Sequence, residues 1–182
     1  MHVEENSMLH NTPGTIILLN GTASAGKTSM ARAIQQVFDT PYLHVGIDLF
    51  WEAIFPHGWA GAERAGWEHV PIAGSSPPKI ALAMRPFGQL LMSGLHHTVA
   101  ALAAIGHNVV VDHVLCDQEW LPECLALWQT LPVVFVGVRC PLDVARARAL
   151  VRTDRTASWP EYPDVVTWQF DEVHQHTRGI YD

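Results

Sequence analysis

The chain has 182 residues, 48% of them apolar and 16% charged, with a net charge of −7 when its histidines are neutral. That length supports a single domain with a sizeable core, and the composition excludes a disordered or fibrous chain. An acidic chain without a long Lys/Arg run also argues against nucleic acid as a partner, because neutralising a phosphate backbone needs clustered cations.

Residues 1–13 are polar, lack the apolar core of a secretory signal and read as a loose arm. Thr15-Ile16-Ile17-Leu18-Leu19 is an apolar run rich in β-branched residues, which predicts a buried strand. It leads into Gly21-Thr22-Ala23-Ser24-Ala25-Gly26-Lys27-Thr28, a match to G-x-x-x-x-G-K-[ST] at every fixed position. Helical spacing follows from Ser29 to Phe38. A strand, a small-residue turn and a helix N-terminus together form an anion site, with backbone N–H groups inward and the helix dipole adding positive potential. Gly21 through Ser29 are therefore expected to cradle the phosphates of a nucleotide. Lys27 would reach the β- and γ-phosphates, and the Thr28 hydroxyl would ligate Mg²⁺.

Tyr42 to Val45 is a second predicted strand, running into Gly46-Ile47-Asp48. Ligands of doubly wound sheets gather outside the carboxyl ends of the strands, so Asp48 should face the same crevice as the phosphate loop. It is also placed to cap a helix through Ile54. Phe55 to Pro78 is dense in Pro, Gly, Trp and His and reads as an irregular excursion. Long irregular segments in compact domains are usually functional, and this region, taken to residue 85, is read as binding an acceptor. Pro86 to Ala104 carries Leu90, Leu91, Leu95, Val99 and Leu102 at the spacing of one helical face, closed by Gly106. His96 and His97 read there as helix-surface residues, and the polar interruptions argue against a membrane span.

Asn108-Val109-Val110-Val111-Asp112 predicts a parallel strand ending in an acid that would hold Mg²⁺ directly or through water. Asp117 can cap a helix to about Gln129. Val133 to Val138 is an uncharged strand, as expected of one covered on both faces. Pro141 suits the first turn of a helix from Leu142 to about Val151. Arg146, Arg148, Arg152 and Arg155 then crowd together. Guanidinium groups bind phosphate oxygens at two points, so a segment spanning 146–160 would close as a lid over a triphosphate. A solvated helix face or salt bridges to Asp143 and Asp154 account for Arg146. A last helix is expected from Asp164 to about Thr177, with Phe170 and Val173 inward. Cys116, Cys124 and Cys140 lack C-x-x-C spacing and read as reduced thiols of a cytoplasmic protein. The whole predicts one P-loop NTPase or kinase-like domain over residues 1–182, a three-layer α/β/α fold with a mostly parallel sheet and an Arg-bearing lid.

Several stretches also resemble the chloramphenicol phosphotransferase family of small ATP-dependent kinases. They are the phosphate loop, Val45-Gly46-Ile47-Asp48, and the helix from Gly94 to Gly106 leading into Asn108–Asp112. Val136-Gly137-Val138-Arg139-Cys140-Pro141-Leu142 and Arg148-Ala149-Leu150-Val151-Arg152-Thr153-Asp154-Arg155 continue the likeness, with His176 and Tyr181-Asp182 at the end. The phosphate loop is common to many families; the Gly-Val-Arg-Cys strand end with the Arg-x-x-Arg lid is more diagnostic. The resemblance implies ATP as donor, Asp48 as general base toward an acceptor hydroxyl, and Arg148, Arg152 and Arg155 on ATP phosphates. Catalysis would then fall to Asp48, Lys27, Arg148 and Arg152, with Mg²⁺ at Thr28 and Asp112. The acceptor would be a small hydroxylated molecule, with an antibiotic such as chloramphenicol or a nucleoside antibiotic favoured, giving resistance or self-protection.

Three departures stand beside the resemblance. Asp112-His113 replaces an acid pair, which changes the charge near the acceptor. Phe55 to Pro78 does not align. The chain also ends at Tyr181-Asp182, where the family usually continues into a further short strand, leaving either a shortened chain or a sheet one strand smaller. Two other readings remain open: a kinase of the same fold acting on an ordinary metabolite or nucleotide, and a nucleotide-dependent switch that hydrolyses ATP slowly and acts through a partner.

Overall fold

The structure is a computed structural model, and it describes residues 12–55, 65–151, 162–175, 177 and 179–181. In chain order its elements begin with β1 (Ile16–Asn20), α1 (Lys27–Val37), β2 (Tyr42–Gly46) and α2 (Ile47–Leu49), which continues as a π-helical turn, Phe50–Ile54. Next come β3 (Trp67–Pro71), β4 (Ile80–Met84), α3 (Pro86–Ala104) and β5 (Asn108–His113). The chain then forms α4 (Trp120–Trp128), β6 (Val133–Gly137), α5 (Leu142–Leu150) and α6 (Tyr162–Glu172). β2, β5, β1 and β6 form one sheet in that order, every pair parallel.

Alternation along β1 builds the layers. Ile16 and Leu18 join Val45, Val109 and Val111 against Met92, Leu95 and Val99 of α3 and Trp120 and Trp128 of α4. Ile17 and Leu19 face the other way, with Val110 and Tyr42, against Ala31 and Ile34 of α1. Helices therefore cover both faces, which is why the two central strands are apolar at nearly every position. β6 differs from expectation. It is an edge strand among the described residues, and Val134 is 49% exposed despite the uncharged sequence.

The region 55–85 is more regular than its composition predicts. Residues 56–64 lie outside the described part, but β3 and β4 form an antiparallel hairpin from Trp67↔Met84 to Pro71↔Ile80. Pro71 stands at the last register pair, and the next backbone donor, Ile72 N–H, bonds to Lys79 O at 3.0 Å. Pro is tolerated there because β3 is an edge strand and, with the next pair hydrogen-bonded, the backbone nitrogen of Pro71 faces away from β4. An ion pair from Lys79 to Asp171 fastens the hairpin to α6.

The buried face of α3 is also rotated from the predicted one. Met92, Leu95, His96, Val99 and Ala103 point inward, while Leu90 is 70% exposed. His97 is on the surface as expected, but His96 is fully buried. Its Nδ1 donates to Glu123 of α4 at 2.5 Å, and its Nε2 lies 3.1 Å from Nε2 of the buried His113. The carboxylate can only accept, so a neutral His96 carries its proton on Nδ1 and accepts from His113 at Nε2. His113 is thus part of the core, packed against Trp120 and His96. Further along, Phe170 is 37% exposed while Val173 is inward as expected. The acid partner of Arg146 is Asp164, at 3.3 Å on the next helix, and not Asp143; Asp154 lies outside the described residues. No helix among the described residues is long and apolar enough to cross a membrane.

Burial lowers the pKa of His96 against the opposing pull of Glu123. Burial, reinforced by His96 and Lys27, lowers that of His113 further. Unfolded histidines titrate near 6.5, so below about that pH the unfolded chain binds protons that the folded chain refuses. Stability should therefore fall as pH drops from 7 to 5, by up to about 1.4 kcal/mol per pH unit for each histidine. His96→Gln is expected to flatten the dependence of urea unfolding on pH across that window. An unchanged slope would show that His96 does not stay neutral in the fold.

Candidate functional site

The turn after β1 is shaped by two residues in the left-handed region, Ser24 (φ 62°) and Gly26 (φ 102°). Gly26 occupies the N-cap of α1, where a side chain would be strained, so the first helical amides open toward the turn. Lys27 is only 7% exposed, and its Nζ donates to Thr22 O at 2.9 Å. Ser29 follows on the exposed side of the first turn of α1.

The turn is also held from behind. Gln169 of α6 accepts at Oε1 from the buried Ala23 N–H at 3.0 Å. Ala145, Ala149 and Val166 pack beneath Ala23. Asn20, the last residue of β1, accepts from Leu115 N–H at 2.9 Å and donates to Val173 O at 2.8 Å and to the Tyr181 hydroxyl at 2.9 Å. Neither Gln169 nor Asn20 stood out in the sequence, since their partners lie on distant elements.

Three strand tips meet at this edge of the sheet. Leu19 and Gly46 are both register partners of Asp112. Asp112 Oδ2 accepts from the Thr28 hydroxyl at 2.8 Å and from His44 Nε2 at 3.0 Å. Burial pushes the Asp112 pKa up, but the His44 bond, the charge of Lys27 and the Thr28 bond outweigh it and hold the group below the usual carboxylate range. Asp112 is therefore ionised. Because Thr28 gives its proton to Asp112, its oxygen keeps lone pairs for a cation. The Thr28 hydroxyl and the Asp112 carboxylate are hard oxygen donors of the kind that would suit Mg²⁺ alongside a nucleotide's phosphates. Among the described residues no group of three or more His, Cys, Asp or Glu could hold a metal alone.

Gly46, and not Asp48, is the N-cap of α2; Asp48 is half-buried in the first turn, two residues beyond the register partner of Asp112. Trp51 follows three residues later and begins an aromatic cluster. Its ring lies 4.7 Å from Trp67, Phe55 is 5.8 Å from Trp67, and Phe87 is 5.7 Å from Phe55. Arg148, on the exposed side of α5, brings Nη1 within 3.4 Å of Ser24 O. Arg152, Arg155 and residues 152–161 of the expected lid lie outside the described residues.

A model of chloramphenicol phosphotransferase-like proteins matches residues 14–182. The chain belongs to that family. Two proteins of Mycobacterium tuberculosis, from strains CDC 1551 and H37Rv and provisionally named O-phosphotransferases, are each 33% identical over 150 residues. The match covers 80% of this chain but 66% of the relatives' length. Among solved structures, a chain of the Pnkp1/Rnl/Hen1 RNA repair complex is similar with TM-score 0.64 and 18% identity, over 97% of this chain and 49% of that one. A gluconokinase from Sinorhizobium meliloti 1021 gives TM-score 0.54 and 15% identity, over 93% and 79%. A sugar kinase from Janibacter gives 0.54 and 15%, over 89% and 78%. The solved structures establish the fold, that of P-loop kinases, and the family match adds the chain to the chloramphenicol phosphotransferase-like proteins.

Gln169→Leu leaves the Ala23 amide buried without an acceptor. It should lower unfolding free energy by about 1–3 kcal/mol in urea titrations, the usual cost of an orphaned buried donor. Wild-type stability would mean that the phosphate loop does not lean on α6.

Proposed function

We propose that the protein is an ATP-dependent O-phosphotransferase that moves the γ-phosphate of ATP to a hydroxyl of a small molecule. The observation that supports it most is the meeting of the Thr28 hydroxyl with an ionised Asp112, with Asp48 starting the next turn on the same strand edge. Transfer of a phosphoryl group proceeds through a loose transition state, so the protein's task is positioning and neutralising charge. The loop amides that lead into α1, at Gly26 to Thr28, hold the phosphates while the Ala23 amide stays on Gln169, and Lys27 and Arg148 bring positive charge to the transferred group. Arg152 and Arg155 join them from the following segment. Thr28, with Asp112 beside it, would hold Mg²⁺, which supplies further neutralisation of the phosphates.

Asp48 orients the acceptor hydroxyl and takes its proton late in the transfer. The cluster of Trp51, Phe55, Trp67 and Phe87, begun on the same helical segment, offers an apolar wall for the body of the acceptor. Family membership favours an antibiotic, of the chloramphenicol or nucleoside kind, so that the protein confers resistance on its host.

Asp48→Asn should lower transfer by about 10²–10⁴-fold, the usual worth of a general base, while ATP binding stays intact. Labelled ATP with a panel of hydroxylated acceptors provides the measurement. Full transfer by the variant would remove Asp48 from the mechanism. Transfer confined to sugars or nucleotides would redirect the acceptor, and ATP hydrolysis indifferent to every acceptor would overturn the reading.

A further inference from the structure

We infer that His44 is a positioning residue that fixes Asp112 for binding of the metal–nucleotide complex. The inference rests on the phosphotransferase reading and names a residue that this reading does not use. Period-two alternation along β2 puts His44 on the face of Tyr42, which packs toward α1, while Val45 faces α3. His44 is in register with Val110, two residue pairs before Gly46 with Asp112 and so on the same face of the sheet. Its imidazole therefore reaches along the strand to the carboxylate. A carboxylate only accepts, so His44 carries a proton on Nε2 and donates it to Oδ2.

The Thr28 bond alone would leave the carboxylate free to turn about its last torsion. A second donor on the same oxygen, from a different strand, fixes its plane. The other oxygen sits in space that only glycine leaves open, since a Cβ added at Gly46 would stand 2.6 Å from Oδ1. Thr28 and His44 thus hold Oδ2 toward the helix that carries the phosphate loop, with Oδ1 seated in the space beside Gly46. A lysine or arginine at position 44 would give the same bond but add a fixed positive charge beside the cation. Partners that orient the residues around a metal typically contribute 10–100-fold to its affinity.

The test compares the full chain with His44→Ala and His44→Gln, using Mn²⁺ as an electron paramagnetic resonance probe titrated into the ADP complex. ADP binding is measured separately in EDTA. His44→Ala is expected to weaken Mn²⁺ about 10–100-fold and to leave metal-free ADP binding unchanged. His44→Gln, whose amide can donate, should recover most of the loss. Unaltered Mn²⁺ affinity in His44→Ala would overturn the inference. So would equal losses with and without metal, which would make His44 a support for the fold alone. If the unsubstituted protein binds ADP but no Mn²⁺ with it, the Mg²⁺-dependent transferase reading falls, and this inference falls with it.

Discussion

The hydrogen bond from Thr28 to Asp112 joins the helix of the phosphate loop to the tip of the neighbouring strand, and the rest of the site is arranged about it. It exists because β1 and β5 are adjacent and parallel, with Leu19 opposite Asp112. A parallel sheet brings every strand to the same edge in the same direction, so charge placed at the strand ends converges without any long reach. Asp112 is buried, and burial alone would favour its neutral form. The imidazole of His44 and the charge of Lys27, with the Thr28 hydroxyl, reverse that preference. The carboxylate is thus kept charged by the same residues that hold it in place.

The opposite side of the loop is governed by the two helices that flank residues 152–161. Arg148 of α5 touches the loop at Ser24, and Gln169 of α6 holds the Ala23 amide. The two helices are tied to each other by Arg146, which bonds Pro163 O, Asp164 and Thr167. Asn20 fastens the same corner to the chain near Tyr181. The shape of the phosphate loop therefore depends on side chains 124 to 161 residues further along the sequence, a reach that the tertiary fold alone provides.

The parts legible in the sequence were those encoded locally. Gly21 to Thr28 needs only its own spacing and its flanking strand and helix to be recognised, and the apolar strands before it and before Asp112 follow from composition. Features decided by a distant partner were not legible. His96 reads as a surface residue until Glu123 and His113 supply its hydrogen bonds. Leu90 reads as core by spacing but is exposed, while Met92, outside the predicted face, packs with Trp120 and Trp128 of α4. The β3–β4 hairpin was hidden by its prolines, of which Pro71 sits in the last register pair and Pro77 and Pro78 in the connection between the strands. His44 and Gln169 carry no motif at all, because each matters only through one contact across the fold.

The most direct measurement is a crystal structure of the protein with Mg²⁺, a non-hydrolysable ATP analogue and a hydroxylated acceptor. The metal should stand on the Thr28 oxygen beside Asp112, with the acceptor hydroxyl within about 2.6–3.2 Å of an Asp48 oxygen and facing the γ-phosphate. A triphosphate seated away from Gly21 to Thr28, or an acceptor hydroxyl out of reach of Asp48, would contradict the shared edge on which the proposed chemistry depends.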